Sequence, residues 1–435
     1  MICNQAAGEQ TVIRPDGFSG ALMALEAIRD AAVILHGPTG CRGYPAALSE
    51  QWYPRNTQYE PLNYGERFYF GQPRIPTTYL DGDDFVFGGV EKLTAAIQAA
   101  VERKPSVLAV VNAPGAALIG DDLKRALAAV PTGIPTVALE MPAISQSMGA
   151  GHQQALIAAL ESLDFGPWSP KPRTVALVGL SIAHHHWEGS VAELRRLLGL
   201  CGVDVCCVAG AGSSVDELRR IAEASCVAVI HEEYGGEVAR WLARRFAIPV
   251  AQPDCGAPLG FAATEEWLRA VASAAGGVPE AAIAELQQRR RDVARRMYRI
   301  DTFQDILRGS RFSVQADPSV ALPLTRWLYE YLGMVPAAVE TPECADRPMA
   351  QHLGDFLRSI RCEDAWQRDW REVESDFLLA DGCQAAVARV SGLVPSCVEW
   401  LLPSDTYWDI VPKAMLGAQG AEYLVEQVIN GIPEP

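Results

Sequence analysis

The run AAVILHGPTGC, residues 31–41, carries the chain from an unbroken apolar stretch into a loop of two glycines, a proline and a thiol. A short apolar run without alternation, closed by turn residues, predicts a strand buried on both faces, as in a parallel sheet. In open parallel sheets ligands collect beyond the carboxyl ends of the strands, and HGPTGC stands at such an end. Gly37 and Gly40 leave no side chain to keep a bulky inorganic group away from Cys41. Backbone N–H groups turned into such a loop stabilise thiolates and bridging sulfides. The other reading of Cys41 is a buried structural thiol, since cysteine is among the most buried residue types.

The same pattern recurs along the chain. SVLAVVNAP (106–114) and TVALEM (136–141) alternate with the helical segments GALMALEAIRD (20–30) and GVEKLTAAIQAAVERK (89–104). A second set opens after the proline-rich linker GPWSPKPR (166–173). It runs through TVALVGL, SVAELRRLLGLCG, VDVCCVAG, DELRRIAEA, CVAVIHEE and EVARWLARRFAIPVAQP. The charged helix EAAIAELQQRRRDVARRM (280–297) leads to a third set, RFSVQAD, PLTRWLYEYLG and VPAAVET, and a final helix, GAEYLVEQVIN. Strands alternating with helices predict parallel sheets with crossover helices. The expected fold is α/β, three Rossmann-like doubly wound domains over residues 1–170, 171–300 and 301–435, the first holding the Cys41 loop.

A chain of 435 residues is too long for one core. Its net charge of −16 argues against a nucleic-acid partner, which needs clustered Lys and Arg, and suits docking to a basic patch. No apolar stretch approaches 18 residues, and MICNQAAGEQ lacks the basic and apolar regions of a signal peptide, so no membrane span and a cytoplasmic location are expected. Eleven cysteines without a CxxC pair read as buried thiols, metal ligands or reactive thiols rather than disulfides. Cys201, Cys206, Cys207 and Cys226, set in apolar segments, are expected to be core residues. No GxxxxGK[ST] phosphate loop occurs, which argues against ATP hydrolysis by this chain, and no GxGxxG follows a strand; GAGSS (210–214) reads as a turn.

Two polar clusters follow predicted strands. In AHHHW (183–187) three consecutive histidines cannot share one direction; two could share a metal or offer protons to a cleft, or the stretch is a polar loop before a helix. His231-Glu232-Glu233 is open to acid/base chemistry or to the attraction of Glu to a helix N-terminus.

HGPTGC, DGDDFVFGGVEKL (81–93) and LIGDDL (118–123), in that order, resemble the first domain of nitrogenase component 1 and its relatives. The resemblance continues in APLGFAATEEWLRAVA (257–272), RFSVQADPS (311–319) and GAQGAEYLVEQVIN (417–430), and covers nearly the whole chain. It is closer to the β-type (K/N-like) than to the α-type subunit. The resemblance implies three Rossmann-like domains and an α2β2 assembly with an α-like (D-type) partner. It also implies an interfacial iron–sulfur cluster, P-cluster-like or 4Fe–4S, and a separate ATP-dependent iron protein (H-type) as electron donor. Mapped on this chain, Cys41 matches the cluster cysteine of the family's loop, with Gly37 and Gly40 beside the cofactor. Asp16 stands where another family cysteine would be, and Pro114 occupies the place of a third. Asp16 is thereby a candidate iron ligand or a helix N-cap, and Cys3 a further candidate ligand. The α-type cofactor site needs a thiol where Glu232 stands and a C-terminal histidine, so the resemblance places that cofactor in the partner.

The function expected is a β-like subunit of a nitrogenase-like reductase. Methylthio-alkane C–S bond reduction is its favoured activity by elimination, since neither the full cysteine set of nitrogenase nor a tetrapyrrole-type C-terminal extension is visible. The alternatives are a non-catalytic scaffold subunit for nitrogenase cofactor assembly, or an α/β protein with no cluster.

Overall fold

A computed structural model describes residues 15–43, 45, 75–140, 145–298, 307–342, 347–401 and 409–431. Cys3 lies outside these residues. Strands β1 (Ala31–His36), β2 (Val107–Asn112) and β3 (Thr136–Leu139) pair in parallel, with Ala31 opposite Val107 and His36 opposite Asn112. A second parallel sheet has the order β5-β4-β6-β7, from β4 (Thr174–Val178), β5 (Asp204–Ala209), β6 (Cys226–Val229) and β7 (Val250–Ala251). The third has the order β11-β10-β8-β9, from β8 (Arg311–Gln315), β9 (Val335–Glu340), β10 (Phe377–Asp381) and β11 (Ser396–Leu401). The three parallel sheets are those of the expected α/β, Rossmann-like architecture. β2 and β4 are buried along their whole length, which is why they read as continuous apolar runs. The cysteines expected in the core are there: Cys201, Cys206, Cys207 and Cys226 are buried, and burial pushes their thiol pKa values up.

The helices that matter for the site are α1 (Gly17–Glu26), α2 (Val90–Val101), α3 (Leu123–Ala129), α4 (Met148–Ser162), α5 (Trp187–Leu200), α6 (Glu232–Phe246), α7 (Gly260–Ala275), α8 (Glu280–Tyr298), α9 (Pro318–Glu330), α10 (Pro348–Ser359), α11 (Gly382–Ser391) and α12 (Gly417–Asn430). α1 is buried on every side and meets α4 at glycines. A Cβ on Gly20 would stand 1.9 Å from the Met148 carbonyl oxygen, and one on Gly151 1.8 Å from that of Gly17. The largest apolar cluster joins side chains of all three sheets, and a separate one under β1 and β2 collects Leu93 and Ile97 of α2 with Leu123 and Leu127 of α3.

The structure meets the sequence reading at three places, and departs from it at the last two for reasons that lie in tertiary contacts. Of the two readings of His231-Glu232-Glu233, the helix N-terminus is the one found: α6 begins at Glu232, after β6, Ile230 and His231. Helix α9 starts at Pro318 and runs through Pro323, the residue at which the apolar helical pattern begins. The ring nitrogen of Pro323 has no proton for the Ser319 carbonyl, and the Ala257 N–H donates to that oxygen instead at 2.8 Å. β10 and β11 were not expected, because FLLAD is brief and SCVEWL carries Glu399, whose charge is met by Arg389 at 3.1 Å.

The α1–α4 contact has no room for a methyl group. Gly151→Ala should therefore destabilise the fold by about 1–3 kcal/mol, the usual cost of overpacking, read as a lowered urea midpoint. An unchanged midpoint would mean that the helices are free to separate.

Candidate functional site

His36, the last residue of β1, is fully buried and uses both ring nitrogens. Nδ1 lies 3.0 Å from Thr78 Oγ1 and Nε2 lies 2.9 Å from Asp121 Oδ2. Thr78 Oγ1 also accepts from the Gly37 N–H at 3.0 Å, and Asp121 Oδ2 from the Gly89 N–H at 2.8 Å. The three segments HGPTGC, DGDDFVFGG and LIGDD thus meet around one imidazole. Gly88 has a φ of +93°, and a Cβ on Gly89 would lie 2.4 Å from Leu80 Cδ2 and 3.0 Å from His36 Cε1. Both positions of the glycine pair are set by this junction.

Beyond the imidazole, residues Thr39–Arg42 form a single 3-10 turn, in which the Cys41 N–H donates to the Pro38 carbonyl at 3.2 Å. Cys41 is half-buried against the main core, and burial pushes its thiol pKa up. The two flanking glycines differ. A Cβ on Gly37 would meet that of Ala113 at 2.4 Å, so packing against the exit of β2 demands glycine there. A Cβ on Gly40 would have no described atom within 4 Å, so nothing among the described residues packs on that side of the loop. On the neighbouring segments of this unit, Tyr79, Phe85, Val86, Phe87, Val90 and Leu118 expose apolar surface, with Phe87 at 85% and Leu118 at 89%. Asp16 caps α1: its Oδ1 accepts from the Ser19 N–H at 3.0 Å and the Ser19 hydroxyl at 3.1 Å. Pro114, in the place of the third family cysteine, is half-buried.

The polar clusters of the other two sheets meet elsewhere. The second sheet reverses its order between β4 and β6, and the third between β8 and β10. The carboxyl ends of these four strands face one cavity of about 110 Å³, lined by His184, Glu233, Tyr234, Gln315, Asp317 and Asp381 among others. His184 stacks on His231 at 4.5 Å between ring centroids, and its Nδ1 accepts from the Ser181 N–H at 2.9 Å. The Ser319 hydroxyl donates to Glu233 Oε2 at 2.5 Å and lies 3.2 Å from His231 Nδ1, while the Ser319 N–H donates to Glu233 Oε1 at 3.0 Å. Glu233 therefore serves the N-terminus of α9, across from its own helix. His185 and His186 turn the other way, to Asp409 at 3.7 and 3.2 Å. The three histidines are divided between two places, and no group of three or more metal-ligating side chains forms among the described residues.

Two of these functional residues escaped the sequence reading. Thr78 belongs to none of the motifs, and Asp121 stood in one without a partner. The available signal was His36 itself, since an imidazole closing an apolar strand requires two hydrogen-bond partners.

Residues 17–432 match the family model described as nitrogenase component 1 type oxidoreductase. The B-type subunit of light-independent protochlorophyllide reductase from Synechococcus sp. strain WH7803 is 29% identical over 311 residues, which is 67% of this chain and 57% of that protein. Its counterpart from Synechococcus sp. strain CC9311 is 26% identical over 85% of the chain and 67% of its own length. A nitrogenase molybdenum-iron protein alpha chain from Methanothermobacter marburgensis is 28% identical over 74% of the chain and 68% of its own. Among solved structures, "Nitrogenase Cp1 at pH 6.5" superposes with a TM-score of 0.72 at 19% identity, over 99% of this chain and 95% of that one.

The buried histidines leave a signature in stability. Burial pushes His152 and His231 down to about 4 from an ordinary 6.5. Between those values the unfolded chain binds more protons, so stability is lost as the pH falls from 6.5 towards 4. Burial raises Glu233, which acts with the opposite sign and removes stability as pH rises through its folded value. On lowering the pH from 7 to 5.5 the urea midpoint should fall, by on the order of 1 kcal/mol per histidine. A midpoint that stays flat in the Glu233→Gln variant, where the opposing carboxyl is absent, would show that these rings are not held neutral.

Proposed function

The chain belongs to the nitrogenase component 1 type oxidoreductases, and on that premise we propose that it is the β-like subunit of a two-component reductase. The observation that carries the reading is the half-buried Cys41 thiol on its turn at the carboxyl end of β1, in the same unit as exposed apolar side chains on the segment 79–90 and at Leu118. An exposed apolar patch of this kind suits a protein partner. In this proposal the partners are an α-like (D-type) subunit in an α2β2 assembly and an ATP-dependent iron protein (H-type), all in the cytoplasm. No helix among the described residues is long and apolar enough to cross a membrane. The three functional units are taken at 1–170, 171–300 and 301–435.

Cys41 would hold an iron–sulfur cluster, P-cluster-like or 4Fe–4S, together with the partner's ligands. Such a cluster supplies one-electron transfer when bound. The open flank of Gly40 is consistent with that group, and the turn at Thr39–Arg42 presents the thiol to it. Asp16 and Cys3 are the proposed additional ligands. Asp16 Oδ1 is engaged in the helix cap, which leaves Oδ2 for that role. The substrate would be reduced in the α-like partner. C–S bond reduction of methylthio-alkanes remains the proposal from the sequence, and the substrate in the relatives' name, protochlorophyllide, is the competitor to assay beside it. A single thiol at the loop also favours a second reading, a scaffold subunit for cofactor assembly.

Anaerobic co-purification with the α-like chain, followed by iron and acid-labile sulfide analysis, tests this. Iron beyond one interfacial cluster supports the reductase, and one small cluster supports the scaffold. Cys41→Ala should lower interfacial iron and electron transfer from the iron protein while leaving thermal unfolding unchanged. Full iron and turnover in that variant would overturn the proposal. Asp16→Ala should cost about 1 kcal/mol through the lost cap, and a concurrent loss of iron would identify it as a ligand.

A further inference from the structure

We infer that His36 and Asp121 are positioning residues, which lock the Cys41 loop and the exposed apolar knob Phe85–Phe87 into one rigid unit before any partner binds. The benefit to a cluster rests on the reading of Cys41 given above; the locking itself does not. An ionised carboxylate only accepts, so the contact with Asp121 Oδ2 places the imidazole proton on His36 Nε2. With the proton on Nε2, Nδ1 is the acceptor to which the Thr78 hydroxyl donates, and the same hydroxyl oxygen accepts from the Gly37 N–H. From the far side the Gly89 N–H reaches the same Asp121 oxygen. Every proton has one acceptor, and the chain of bonds runs in a single direction from Gly37 to Asp121.

Its two ends are the two exposed features. Gly37 begins the turn that presents Cys41, and Gly89 follows directly on the knob, through Gly88. The main chain is clamped as well: the Ala113 N–H donates to the His36 carbonyl at 2.8 Å and the Leu80 N–H to that of Gly37 at 3.4 Å. The side chains of His36 and Asp121 are 0% and 7% exposed, so water does not replace a lost bond. The Phe85 ring also lies 3.9 Å from the position of a Cβ on Gly115, on the segment after β2.

The test uses the full-length, iron-free chain and two readouts, the tautomer of His36 by 15N NMR and the rate at which iodoacetamide alkylates Cys41 by peptide mass spectrometry. Wild type should carry the proton on Nε2. Asp121→Asn, which keeps an oxygen for both N–H groups, should preserve the tautomer and an alkylation rate within about two-fold. Asp121→Leu keeps the branched shape but leaves two buried donors unpaired. It should lose the tautomer preference and speed alkylation by on the order of ten-fold. Asp122→Ala, which removes only the cap of α3 that the Arg125 N–H bonds, should leave both readouts unchanged. If Asp121→Leu does not fold, Thr78→Val replaces it and should speed alkylation with the tautomer retained. Wild-type alkylation in Asp121→Leu or in Thr78→Val, an Asn variant that behaves like the Leu one, or a proton on Nδ1 in wild type would overturn the inference. Faster alkylation in Asp121→Leu alongside full iron in Cys41→Ala would keep the positioning role and remove the cluster reading.

Discussion

A buried imidazole at the end of a buried strand cannot be left half-satisfied, and the contact between His36 and Asp121 is the constraint on which the first unit depends. Meeting it requires β2 to run parallel beside β1, so that the segment after β2 brings Asp121 alongside, and requires residues 77–80 to pass close enough for Thr78 to reach Nδ1. The same carboxylate oxygen then has room for one more donor, which only a glycine backbone can deliver through the space between Leu80 and His36. The conjunction of a histidine, a glycine pair and an aspartate in three separate segments is a single hydrogen-bonded junction.

That junction explains how a loop open on one side is held in a fixed form. Gly40 has no described atom over it, Cys41 is half-buried against the main core, and Gly37 faces inward against Ala113. A half-buried thiol on a fixed turn is suited to a group supplied with further ligands from another chain, since less side-chain ordering remains to be done on association. The second and third sheets follow another logic. Their order reversals face each other across one cavity, and the buried contacts of Glu233, Ser319 and His231 tie the start of α6 to the start of α9. The polar atoms there are largely occupied with holding helix termini, and the histidines beside them are neutral through burial.

Much of the architecture was legible because strands covered on both faces must be largely apolar, and β1, β2, β4 and β6 announce themselves in that way. The exceptions are instructive. β11 carries a glutamate whose charge is met by the Arg389 side chain of the neighbouring helix α11. The early start of α9 depends on Ala257, a residue distant in sequence, taking over the carbonyl that Pro323 cannot serve. Local pattern alone does not register such distant compensation.

For the site, the division is similar. The sequence by itself determined that a thiol would stand on a glycine loop at the carboxyl end of a buried strand, and that two more motifs of a known family would accompany it. Tertiary structure alone decided that His36, Thr78, Gly89 and Asp121 converge, that Gly37 is a packing residue while Gly40 is open, and that AHHHW is divided between a cavity and Asp409. The physical reason is that residue type and period report burial, which is a property of one position. Hydrogen-bond partnership and open space are properties of pairs, and they exist only once segments far apart in the chain have been brought together.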